Sequence, residues 1–84
     1  MNIKNNTTEK YYSTSDLAVA SALSLFILLE DVDNSDSRKV IFVFKQTNEL
    51  DELLNKYWAG QLKVDPLAYF NELKKLKSRI YESR

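Results

Sequence analysis

Hydrophobic and polar positions along this chain change their spacing in a way that divides it into successive elements. Residues 1–10 are polar, with Asn2, Asn5, Asn6, Thr7 and Thr8. They predict a flexible arm followed by one ordered domain over residues 11–84. Ser13-Thr14-Ser15-Asp16 has the form of a capping box, with Ser13 as the cap and Asp16 reaching back to its amide. Tyr12 and Leu17 then stand where a hydrophobic staple would put them. The helix that follows carries Ala18, Ala20, Ser21, Ala22 and Ser24, small residues that let a neighbour approach its backbone. It is expected to end near Ser24–Phe26.

Leu28–Asp33 and Arg38–Lys45 predict two strands around the turn formers Asn34-Ser35-Asp36-Ser37. The run Val40-Ile41-Phe42-Val43-Phe44 is apolar on both faces of its strand. A lone hairpin is marginal in water. Either Tyr11–Tyr12 or Leu62–Val64 is therefore expected to add a third strand, or a second copy of the chain to cover the spare face. Thr47 or Asn48 caps the next helix, in which Leu50, Leu53, Leu54, Tyr57 and Trp58 make an amphipathic stripe. Gly60 fits a left-handed terminus. Asp65-Pro66 opens a last helix running to about Tyr81. The expected fold class is α+β, in the order α-β-β-α-α, with a β-hairpin packed against three helices.

Composition narrows the chemistry more than the class. A hydrophobic share of 44% and a charged share of 29% argue for a packed domain rather than disorder. The chain has no cysteine and no histidine, so it lacks the sulfur nucleophile, the commonest general base and the commonest nitrogen ligand for metals. With one glycine it has no phosphate-cradling loop. Asp31–Asp36 is the nearest approach to a calcium loop, but Asp36 and Phe42 stand where Gly and Glu are needed. No catalytic residue, cofactor or metal is expected. The most apolar window, Leu17–Leu29, is too short to span a bilayer. No leader is evident, so the setting is expected to be cytoplasmic, with no membrane partner.

Net charge is zero but segregated. Asp16, Glu30, Asp31, Asp33 and Asp36 meet no base between Ser13 and Ser37, whereas Lys74, Lys75, Lys77, Arg79 and Arg84 face only Glu82 near the other end. On a helical wheel Tyr69, Leu73, Leu76 and Ile80 form the core stripe of the last helix. Phe70, Lys74, Lys77 and Tyr81 share a flank beside it, while Lys75 and Arg79 lie on the far side. Aromatics interleaved with lysines suit a protein interface, including self-association, or base stacking. In the alternative reading, Phe70 and Tyr81 widen the core and the lysine stems lie over them. Splitting the bases weakens a nucleic-acid role, because a phosphate-tracking surface wants its charges on one face. A helix-turn-helix fits poorly too, since the last helix begins Asp65-Pro66-Leu67-Ala68, acidic and apolar where bases would be read.

Tyr11-Tyr12-Ser13-Thr14-Ser15-Asp16-Leu17-Ala18, Arg38–Phe44, Tyr57-Trp58-Ala59-Gly60 and Val64-Asp65-Pro66 together resemble a family of small, uncharacterised prokaryotic and phage-associated proteins, over about residues 11–82. The resemblance implies a stand-alone domain and supplies no catalytic residue. The expected function is a non-catalytic interaction module, homodimeric through Val40–Phe44 or through Phe70–Tyr81. The alternative is a nucleic-acid-binding accessory protein using the basic last helix.

Overall fold

Strand Tyr11–Thr14 (β1) lies beside Ile41–Lys45 (β3), which pairs on its other side with Asp31–Asp33 (β2). The computed structural model describes residues 9–36 and 38–82. Both pairings are antiparallel, with Ser13 opposite Val43, Thr14 opposite Phe42, Val32 opposite Phe42 and Asp33 opposite Ile41. The third strand is thus the Tyr11 segment, and Leu62–Val64 forms no strand. The helices are Leu17–Ser24 (α1), Asn48–Trp58 (α2) and Pro66–Glu82 (α3). The domain is α+β, a three-stranded sheet with three helices, with β1 preceding the expected order.

The start of α1 differs from its expected form. Asp16 is the cap, its Oδ1 accepting from the amides of Ala18 at 3.0 Å and Val19 at 3.2 Å. Ser13 instead belongs to β1, and the Thr14 hydroxyl accepts from the Asp16 amide at 3.0 Å. Pairing with β3 holds Tyr11–Thr14 extended, so helix entry moves three residues along. Tyr12 and Leu17 both pack on the core, from the strand and from the first helical position, rather than as a staple. Asp16→Ala should cost about 1 kcal/mol by chemical denaturation, whereas Ser13→Ala should leave the midpoint unchanged. The reverse pattern would restore Ser13 as the cap.

Helix α1 is buried nearly all round, from Val19 to Leu23. A helix that is apolar on every side belongs in the middle of a fold, and α1 packs against α3, α2 and β1. Its small residues permit this, and the Tyr69 hydroxyl of α3 reaches the Ala18 carbonyl at 3.5 Å. The helix ends without glycine as Phe26 and Ile27 bond back to the Leu23 carbonyl. The chain is still unwinding there, which is why β2 begins at Asp31 and not at Leu28.

Phe42 and Phe44 point inward and are fully buried with Val19, Ala20, Leu23, Leu50, Leu53 and Leu76 in one core. Ile41 and Val43 alternate to the outer face, half-buried. In the hairpin turn, Asp33 accepts from the Ser35 amide and Asp36 from the Arg38 amide, each at 2.9 Å. The hydrogen bonds from Ser35 hold the Asp33 carboxyl below its ordinary range. Thr47 caps α2 through the Leu50 amide at 3.1 Å. Gly60, at φ +72°, ends α2 with its amide on the Tyr57 carbonyl. Asp65 caps α3 through the Ala68 amide at 2.8 Å, with Pro66 in the first turn. Trp58 leaves the predicted stripe. The last turn of α2 runs beyond the core, and Trp58 is exposed with its ring edge-on to Tyr57. Most of the expected N-terminal arm lies outside the described residues, but the Lys10 carbonyl accepts from the Gln46 amide and extends the β1–β3 ladder.

Candidate functional site

Helix α3 rests on α1 through a narrow stripe. Leu76 is its one fully buried residue among those described, flanked by half-buried Tyr69, Leu73 and Ile80. A stripe this narrow leaves the neighbouring flank outside the core. Phe70 is 53% exposed and Tyr81 64%. These two rings therefore do not widen the core. The Lys74 ammonium stands 4.9 Å from the centre of the Phe70 ring, a cation–π arrangement one helical turn along. Lys77 is exposed on the same flank.

The structure separates the remaining predicted residues from this group. Lys75 bridges to Glu72 at 3.1 Å, three residues back on the far side. Arg79 joins Glu72, Lys75 and Leu28 around a groove of about 230 Å³ floored by Leu76 and Ser24. Arg84 lies outside the described residues. Leu67, 67% exposed, was not anticipated. It continues the Phe70–Lys74 line at helical spacing, and the same wheel that gathered its neighbours places it at the edge of their flank.

Two further surfaces emerge only in three dimensions. Ala22, Tyr57, Gly60, Leu62, Val64 and Tyr69 line a cleft of about 230 Å³ where α2 hands over to α3. Burial raises the Tyr57 phenol above its ordinary range, with the nearby Asp16 carboxylate adding to the effect. The second is the outer sheet face, which no helix covers. There Tyr11, Glu30, Asp31 and Val43 line an open depression of about 450 Å³. Glu9 accepts from the Tyr11 hydroxyl at 3.1 Å and pairs with Lys45 at 3.5 Å.

The family model described as Domain of unknown function (DUF5659) matches residues 9–82. The chain belongs to the DUF5659 family. No curated protein and no solved structure matches it. The DUF5659 match takes in every described element, including β1 and the whole of the α3 flank. Among the described residues of this DUF5659 domain, no helix is long and apolar enough to cross a membrane, and no three carboxylates stand together as a metal site.

Proposed function

We propose that this domain is a non-catalytic interaction module whose α3 flank, Leu67, Phe70, Lys74, Lys77 and Tyr81, docks an acidic, partly apolar protein surface. One observation carries the reading: three large hydrophobic side chains stay exposed along one flank of a helix whose neighbouring stripe is core. Exposed apolar area of this kind, rimmed by polar groups, marks interaction sites. Lysines beside the rings select for acidic partners and exclude basic ones. The cellular setting we infer is the cytoplasm of a bacterium, or of a cell infected by a phage.

The test compares the intact chain with the Phe70→Ala/Tyr81→Ala variant. A captured protein partner is then titrated against both. Affinity is expected to fall at least about tenfold in the variant, the usual scale for aromatic anchors, and to weaken with salt for both. Equal affinities would overturn the reading. Binding of oligonucleotides at low salt that depends on Lys74, Lys75, Lys77 and Arg79 would replace it with a nucleic-acid role. The Lys75–Glu72 pair and the angular spread of the bases around the helix speak against that outcome.

A further inference from the structure

Resting on that reading of the flank, we infer that its partner is a second copy of this chain, docked head to tail, with the α3 flank of one copy seated on the outer sheet face of the next. The two surfaces complement each other in chemistry. On the sheet, β-register sets Val43 between Ser13 and Asp31, Ile41 opposite Asp33, and Tyr11 opposite Lys45, all facing away from the helices. Half-buried Ile41 and Val43 and exposed Tyr11 supply apolar contact. Glu30, Asp31 and Asp33 rim it with negative charge, and Lys45 is already matched by Glu9. The flank offers the converse, with Leu67, Phe70 and Tyr81 for the apolar surface and Lys74 and Lys77 for the acids. The depression lined by Tyr11, Asp31 and Val43, about 450 Å³, accommodates an aromatic side chain such as Phe70.

Charge also selects the symmetry. A two-fold pairing of α3 with α3 would bring lysines towards lysines, and sheet against sheet would bring acids towards acids. Like charges across an interface are repulsive, so the arrangement that joins unlike charge is the heterologous one. Within one copy the two surfaces cannot meet. The outer sheet face points away from the helices, and α3 packs on α1 rather than on the sheet. From Leu67 to Tyr81 the flank is about 21 Å long, which limits the contact to the small, weak and reversible class.

The test is sedimentation velocity on the full chain from micromolar to millimolar concentration, with two surface variants. Leu67→Ser/Phe70→Ser removes the flank, and Glu30→Lys/Asp31→Lys reverses the sheet rim. All four positions are exposed, and circular dichroism checks the fold. Should the double sheet variant unfold, Glu30→Lys alone serves. The wild type is expected to associate, less so in high salt. Each variant alone should associate at least roughly tenfold more weakly. An equimolar mixture of the two should recover a one-to-one dimer that grows no further, since each variant supplies one intact face. A monomeric wild type at millimolar concentration would overturn the inference, as would a mixture that recovers nothing. If the wild type is monomeric but binds another acidic protein through Phe70 and Tyr81, self-docking alone fails. If association survives loss of the flank, the flank reading fails with it.

Discussion

Replacing Phe42 with alanine should remove most of the domain's stability at room temperature. Phe42 is 0% exposed at the centre of β3, between Thr14 of β1 and Val32 of β2. Its ring fills the space between the sheet and the helices, and truncation leaves a cavity that a three-stranded sheet anchored on both sides cannot close. Such truncations cost about 3–5 kcal/mol. A domain of this length has a total stability of about 5 kcal/mol. Far-ultraviolet circular dichroism in urea should show the transition moved to little or no denaturant. A midpoint within experimental error of the wild type would mean that Phe42 is not the keystone of the core.

Leu76→Ala should cost about 2–5 kcal/mol, and the loss should be local first. Leu76 is the side chain of α3 most fully sunk in the core, at 1% exposure, and its neighbours in the stripe are only half-covered. A helix whose hold depends on one buried residue opens as a unit when that residue goes. Amide exchange should therefore speed up along Pro66–Glu82 before it does in β3. Uniform acceleration across sheet and helix would refute the separate opening of α3. Because α3 carries the flank proposed to dock a partner, the same variant should also weaken any binding through Phe70 and Tyr81.

The elements written in local signals were legible in the sequence. Thr47, Gly60 and the Asp65-Pro66 pair fixed the ends of α2 and α3, because each acts on its own neighbours' amides or backbone angles. The helix wheel gathered Phe70, Lys74, Lys77 and Tyr81 for the same reason, since spacing on one helix needs no tertiary information. β1 was harder. Ser13-Thr14-Ser15-Asp16 satisfies a helix cap in more than one register, and the choice is made by Phe42 and Val43, far along the chain. Trp58 fitted its stripe by angle, but periodicity does not say where the core stops. The exposure of Phe70 and Tyr81 followed from how narrow the contact of α3 with α1 is, and the depression by Tyr11 exists only once β1 and β2 flank β3. Both are products of packing.

The strand order has a consequence for how the chain is made. β1 pairs with residues that follow it by roughly 30 positions, so on the ribosome it must wait for them. At about 5–20 residues per second the wait lasts a few seconds. During that interval Tyr11–Thr14 is a nascent segment without its partner, and α1, at eight residues, is too short to hold its shape alone. The brevity and hydroxyl content of Tyr-Tyr-Ser-Thr make this a mild exposure, since sticky nascent strands are longer and more apolar. The apolar run Val40–Phe44, which is the real hazard, is synthesised last of the three strands and meets β1 and β2 already waiting on the nascent chain.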